Sequence, residues 1–174
     1  GKMQNWGLEF ELGWKSSVKD FNYSISANAS YLKNKLIDLG NASGLATYES
    51  AGASGVGEYV RATNGDVWPY FYGMKTDGIF QTWDEVNAYT NDKGELLQPK
   101  AQPGDVRFVD TNKDGVVDDT DRTKIGKGMP DWTFGLTLGA DWKGFDLNLF
   151  FQGQTGNKIF NVMDYYLNNA AAGN

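Results

Sequence analysis

Four stretches of this 174-residue chain alternate apolar and polar residues with a period of two, and that pattern constrains the fold more than any other feature. In the first, Trp6, Leu8, Phe10, Leu12 and Trp14 are separated by Gly7, Glu9, Glu11 and Gly13. The second sets Phe21, Tyr23, Ile25, Ala27, Ala29 and Tyr31 against Asn22, Ser24, Ser26, Asn28 and Ser30. The third runs Trp132, Phe134, Leu136, Leu138, Ala140 and Trp142 against Thr133, Gly135, Thr137, Gly139 and Asp141. The fourth has Phe145, Leu147, Leu149 and Phe151 against Asp146, Asn148 and Gln152, with Phe150 the exception. Successive side chains of a strand point to opposite faces, so each stretch predicts a β-strand with one apolar face. Ser16–Asp20 and Lys143–Gly144 read as hairpin connections. The 22 Gly and 14% aromatic residues suit an all-β chain with many turns.

An apolar face needs a cover, and alternation alone leaves two covers open: a second sheet in a soluble sandwich, or lipid around a transmembrane barrel. The placement of aromatics favours lipid. Trp6 and Trp14, Phe21 and Tyr31, Trp132 and Trp142, and Phe145 and Phe151 end their apolar rows, with smaller apolar residues concentrated between them. That is the pattern of aromatic girdles at two membrane interfaces. Ten steps from Trp132 to Trp142 cover ~34 Å of strand. Tilted by about 40°, they span roughly 26 Å, close to the ~25 Å apolar band of such barrels. The opposite face, rich in Gly, Ser, Thr and Asn, suits a wet lumen. Four strands do not close a barrel, since small ones have about eight, and open sheet edges in hydrocarbon leave backbone groups unpaired. The barrel reading therefore predicts that this chain, which starts at Gly1 inside a strand, is a piece of a larger protein.

Between the hairpins lie residues 41–130, too long a stretch to lack structure of its own. It carries 14 acidic and 9 basic residues, and so most of the chain's net charge of −6. Gly40–Gly57 is rich in Gly, Ala and Ser and predicts a mobile segment. Trp68-Pro69-Tyr70-Phe71-Tyr72-Gly73 is a dense aromatic cluster; it suits the small core of a long loop, while Trp68, Tyr70 and Tyr72 are the candidates for stacking on a bound substrate. Thr82–Tyr89 predicts a short helix, with Thr82 as N-cap and Glu85 three residues on.

The sharpest motif is Asp110-Thr111-Asn112-Lys113-Asp114-Gly115-Val116-Val117-Asp118-Asp119-Thr120-Asp121. It fits a twelve-residue calcium loop, with ligands predicted from Asp110, Asn112, Asp114, the carbonyl of Val116, Asp118 and Asp121, and Gly115 at the sharp turn. Ca2+ in a structural role is the expected cofactor, since five Asp opposed within the loop by Lys113 repel one another without a cation. Two features depart from a paired EF-hand. The last ligand is Asp121 rather than Glu, and the preceding Asp105–Val109 alternates like a strand.

Composition excludes other chemistries. With no Cys and no His, thiol catalysis, disulfides, zinc ribbons and Ser-His-Asp triads are out. The acidic balance argues against nucleic acid as a partner. Asp84 and Glu85 are the one acidic pair weighed for glycoside hydrolysis, but adjacent acids on a helix surface are ordinarily solvated, and the chain is not expected to be an enzyme.

Several motifs in order resemble the SusC/RagA family of TonB-dependent outer-membrane transporters of Bacteroidota. Asn5-Trp6-Gly7-Leu8-Glu9-Phe10-Glu11 resembles a barrel strand of that family, and Tyr72-Gly73-Met74-Lys75-Thr76-Asp77-Gly78-Ile79-Phe80 a loop segment. The run Gln102-Pro103-Gly104-Asp105-Val106-Arg107-Phe108-Val109-Asp110 through Asp121-Arg122 is the most specific. Ile125-Gly126, Pro130-Asp131, Phe145-Asp146-Leu147, Phe150-Phe151-Gln152-Gly153 and Gly156-Asn157 follow in order. The resemblance implies an all-β fold, part of a large transmembrane antiparallel barrel of about 22 strands, located in the outer membrane among its lipid. It also implies import of glycans or peptides with a SusD-like surface lipoprotein, energised by TonB through an N-terminal region not in this sequence. On that reading, residues 1–40 form two barrel strands. Residues 41–130 form an extracellular loop region with the calcium loop at 110–121. Residues 131–152 form two more barrel strands, and 153–174 start the next extracellular loop. The alternative is a soluble, calcium-stabilised β-sandwich that binds carbohydrate. The two readings differ in whether Trp6, Trp14, Trp132 and Trp142 face lipid or a buried core.

Overall fold

The computed structural model describes residues 1–49, 57–161 and 163. Part of the predicted mobile segment at 40–57 and most of the predicted loop at 153–174 lie outside the described residues. In chain order the elements are β1 (Lys2–Val18), β2 (Phe21–Asp38), β3 (Leu45–Glu49), β4 (Glu58–Thr63), β5 (Tyr70–Gly73), β6 (Thr76–Ile79), α1 (Trp83–Ala88), β7 (Val106–Phe108), β8 (Thr123–Lys127), β9 (Trp132–Trp142) and β10 (Phe145–Thr155). They fall into two compact units, one holding the long strands and the other most of the chain between them.

The first unit is an antiparallel sheet in the order β1-β2-β9-β10. The β1–β2 turn is shorter than the sequence predicts. Ser16 pairs with Tyr23, Ser17 with Asn22 and Val18 with Phe21, so Lys19 and Asp20 alone turn the chain. Ser16 and Ser17 look like turn residues, but their backbone groups still have partners across the ladder, and Lys19 (φ 55°) supplies the left-handed conformation of a tight hairpin. In the β9–β10 turn, Lys143 (φ 49°) and Gly144 (φ 87°) are both left-handed, as a two-residue type I′ connection requires. Strand β10 runs on through Thr155, because β9 still offers partners at Phe134, Thr133 and Trp132.

β2 pairs directly with β9, from Phe21 opposite Trp142 to Tyr31 opposite Trp132. They are neighbours in the sheet although the whole insertion separates them in sequence. β9 and β10 have 11 residues each, near the roughly 9–11 that a tilted strand needs to cross a bilayer. β1 and β2, with 17 and 18, run past that length. Beyond β9's reach, the backbone of buried Leu36 bonds to Gly65 and Asp66 instead (2.7 and 2.8 Å).

The second unit contains sheet β3-β4-β5-β8, the pair β6-β7, and α1. It has a core of its own. Phe80 is fully buried and meets Tyr89 edge-on at 5.6 Å, with Val86 and Leu97 also buried. Burying a Phe of this kind stabilises by about 1.5–3 kcal/mol. Thr82 caps α1 through its hydroxyl, which accepts from Glu85 N at 3.2 Å, while the Glu85 carboxylate accepts from Gln81 N at 2.8 Å. The Tyr89 hydroxyl donates to the Phe108 carbonyl at 2.5 Å and so ties the helix end to β7.

Candidate functional site

In-register pairing turns four separate alternations into one surface. The register aligns Val18, Phe21, Trp142 and Phe145 in a row next to the turns, then Ser16, Tyr23, Ala140 and Leu147, then Trp14, Ile25, Leu138 and Leu149, then Leu12, Ala27, Leu136 and Phe151, then Phe10, Ala29 and Phe134. Towards the other end Trp6 packs edge-on against Tyr31 (5.6 Å), and Tyr31 lies 4.8 Å from Trp132. The face is continuous and uncovered. Leu12 is 69% exposed, Trp14 60%, Trp142 50% and Trp6 51%. On the opposite face the intervening rows bring together Glu11, Asn28, Gly135 and Gln152, and beside the turns Asn22 donates to Asp141 at 2.9 Å. The register also places Trp14 opposite Ile25, two apolar rows in from the turn, because β1 continues to Val18.

The aromatic cluster of the insertion divides. Tyr70 is buried, and the Arg61 guanidinium lies 3.3 Å from the Tyr72 ring centroid, with Arg122 at 5.4 Å. Arg61 is held by a two-pronged pair with Glu58, and Arg122 donates to the Glu58 carbonyl. The guanidinium keeps the Glu58 carboxyl below its ordinary pKa, overcoming the opposite effect of burial. These rings are engaged in the unit's own packing. The half-buried Trp68 turns its carbonyl to the Asn34 amide at 2.5 Å.

The Asp-rich loop is wound by its own carboxylates. Asp110 accepts from Lys113 N and Gly115 N at 2.6 and 2.9 Å, Asn112 Oδ1 from Asp114 N at 2.9 Å, and Asp114 from Val116 N at 3.0 Å. Asp118 accepts from Thr120 N and the Thr120 hydroxyl, both at 2.7 Å. Lys113 (φ 62°) and Gly115 (φ 91°) take the left-handed turns, and the Asn91 amide sits 3.1 Å from where a Cβ on Gly115 would lie. Asp121 is fully buried and accepts from Thr111 N, Asn112 N and Asp118 N at 2.6, 3.2 and 2.9 Å. Burial pushes its pKa up, but the backbone N–H donors outweigh that and hold it below the ordinary value. Three of its roughly four lone-pair positions are thereby used. Among the described residues no three acidic side chains converge into a ready cation cage. The donor set itself, carboxylate and amide oxygens on a tightly wound loop, is the hard-oxygen chemistry that calcium takes.

Two residues that the sequence reading missed support this loop. Asn91 Nδ2 donates to the Gly115 carbonyl (3.1 Å), and Val117 N bonds to the Leu97 carbonyl (3.0 Å). Asn91 opens the turn signal Asn91-Asp92-Lys93-Gly94, but only the fold shows what its amide reaches.

A sheet of long antiparallel strands with one uncovered apolar face, edged by aromatics, is the wall of a transmembrane β-barrel. No family model matches the chain. Its sequence is 30% identical over 173 residues to a TonB-dependent receptor of Formosa agariphila, across 97% of this chain and 16% of that protein. It is 25% identical over 164 residues to the TonB-dependent receptor SusC of Bacteroides thetaiotaomicron, across 92% of this chain and 15% of SusC. Among solved structures, that of the RagAB peptide transporter matches with a TM-score of 0.60 and 22% identity, over 89% of this chain and 15% of that one. The chain is thus homologous to one stretch of the TonB-dependent receptors of the SusC kind, and it spans about one sixth of the length of these curated relatives.

Proposed function

We infer that this chain is a wall-and-loop segment of an outer-membrane importer that is energised through TonB and works with a SusD-like surface lipoprotein. The observation that carries the reading is the exposed apolar face. Trp6, Trp14, Trp132 and Trp142, whose cover separates the two readings of the sequence, are all 40–60% exposed, and a soluble sandwich would bury them. Homology to TonB-dependent receptors supports active uptake as the task and the outer membrane as the place. The cargo is a glycan or a peptide; one structural relative is a peptide transporter. The relatives are receptors and transporters, which supports a role without catalysis.

The test uses the full-length receptor. It should partition with the outer membrane, co-purify with a surface lipoprotein, and support uptake that stops when TonB is deleted. Recovery of the protein in the soluble fraction, or uptake indifferent to TonB, overturns the reading.

Residues 110–121 hold a structural Ca2+ in the same reading, with Asp110, Asn112, Asp114, the Val116 carbonyl and Asp118 as ligands and Asp121 both a ligand and the staple of the loop. The support is the donor chemistry and the crowding of five Asp beside one Lys. Isothermal titration of the full-length receptor with calcium tests it, and absence of saturable binding up to ~10 mM overturns it, since lone extracellular sites bind at about 10⁻⁴–10⁻³ M.

A further inference from the structure

Within the loop unit a cavity of about 780 Å3 lies among Met74, Pro99, Val106, Phe108, Val117 and Asp119. That is inside the range of small-ligand sites, roughly 300–1,000 Å3. Strand β7 lines it. One edge of β7 pairs with β6, and among the described residues no strand pairs with the other. Two side chains meet that edge: the Tyr89 hydroxyl holds the Phe108 carbonyl at its end, and Gln98 spans the stretch before it. Gln98 Nε2 donates to the Val106 carbonyl at 3.2 Å, and Gln98 Oε1 accepts from Phe108 N at 2.8 Å. In a parallel ladder one residue donates to the carbonyl before its neighbour and accepts from the N–H after it. The Gln98 amide makes that pair of bonds around Arg107, so it occupies the place of the N–H and C=O of one residue of a further strand.

The surroundings define what such a strand would carry. Met74, Pro99 and Phe108 give the groove apolar surface, and Asp105 and Asp119 outnumber Lys100 around it. An extended chain presents alternate side chains to opposite sides, so one set can rest on the apolar surface while the other meets the carboxylates.

We propose that this groove binds a short extended peptide of alternating apolar and cationic side chains, which pairs with the free edge of β7 in place of the Gln98 amide. The exchange replaces one amide by another and leaves Val106 O and Phe108 N satisfied, so little hydrogen-bond energy is lost. Main-chain pairing supplies affinity irrespective of sequence, and the acidic rim supplies the preference for positive charge. The proposal deepens the importer reading and rests on it only for the peptide's role as cargo.

The test titrates full-length receptor in detergent with fluorescein-labelled Val-Lys-Val-Lys-Val, its backbone N-methylated form, and Val-Glu-Val-Glu-Val. The lysine peptide should bind saturably, and N-methylation should weaken it about five- to tenfold by removing the ladder bonds. Asp119→Lys should weaken the lysine peptide about threefold or more and strengthen the glutamate peptide. Gln98→Ala should tighten binding, because the edge is then free before the peptide arrives. Asp119→Asn, which keeps the size of the side chain, should show the same direction as Asp119→Lys if the latter fails to fold. Equal binding of parent and N-methylated peptides, indifference to both Asp119 variants, no saturable binding, or displacement by maltoheptaose would each overturn the proposal. Binding without TonB-dependent uptake would remove the importer reading and leave the groove. TonB-dependent peptide uptake unaltered by the groove variants would remove the groove and leave the importer.

Discussion

Leu12 in the wall sheet is 69% exposed, while Phe80 in the loop unit is fully buried, although both are large apolar side chains of one chain. The wall sheet places its apolar residues outward in rows and gathers Gly, Ser, Thr and Asn on the other face. The loop unit does the reverse, closing Phe80, Val86 and Leu97 inside and leaving most of its charges outside. The same hydrophobic effect produces both, since it asks only that apolar surface leave water. In the loop unit the cover is other side chains. For the sheet, it is hydrocarbon. A continuous row of exposed apolar side chains is therefore a requirement in the sheet, while the loop unit relies on the closed core around Phe80.

The comparison can be broken most sharply at Phe80. Phe80→Ala should destabilise the loop unit by about 3–5 kcal/mol, seen in the full-length receptor as faster hydrogen exchange at Phe80 N, which bonds to Asp105, with the wall ladder unchanged. Equal loosening of both regions would show that they do not hold separate cores. Next comes Leu12→Lys, on a row midway along the apolar face. It should cost about 2–4 kcal/mol in refolding into lipid vesicles if that row lies near the bilayer midplane, whereas a water-facing site would tolerate it within about 0.5 kcal/mol. A smaller effect concerns the Asp-rich loop. At ~10 mM calcium a site of ~1 mM affinity stabilises by about 1.4 kcal/mol. Asp114→Ala should abolish that gain and disorder residues 110–121, leaving the strands intact. Unchanged melting of the parent protein on chelation would remove the metal from the comparison. The smallest effect is acid sensitivity. Glu58 is held below its ordinary pKa by Arg61, so its contribution is complete above the unfolded value of about 4.3 and lost as pH falls through the lower folded value. Glu58→Gln should flatten the acid limb of the loop unit's stability without moving that of the sheet.

The wall was legible because its information is local. Period-two alternation over ten residues fixes both strand and face, and Lys143-Gly144 states its own turn. The pattern falls short where the ladder outlasts it. Ser16 and Ser17 carry turn-like side chains on a paired backbone, and Gly153–Thr155 breaks the alternation while β9 still offers partners. In the insertion, the helix with Thr82 before it and the strand-like Val106–Phe108 could be read from short patterns. Sheet β3-β4-β5-β8 could not, since its strands of 4–6 residues show no clean alternation and β8 joins β5 from far along the chain. For the same reason the sequence holds no sign that the amide of Gln98 would close the edge of β7. The Asp-rich loop is legible as a series of oxygen donors, and its fold adds that the same oxygens grip backbone N–H groups, Asp121 most of all.

The direct pairing of β2 with β9 has a consequence for how such proteins diversify. β2 runs on beside β1 to Asp38, but the last residue it pairs with β9, Tyr31, lies directly opposite Trp132, where the chain returns, so β2 and β9 meet as the two arms of a hairpin would. The ladder from Phe21 opposite Trp142 to Tyr31 opposite Trp132 is made by β2 and β9 alone. Evolution, or an engineer, can treat the intervening segment as an exchangeable cassette, varying its length and sequence while the paired strands keep their geometry.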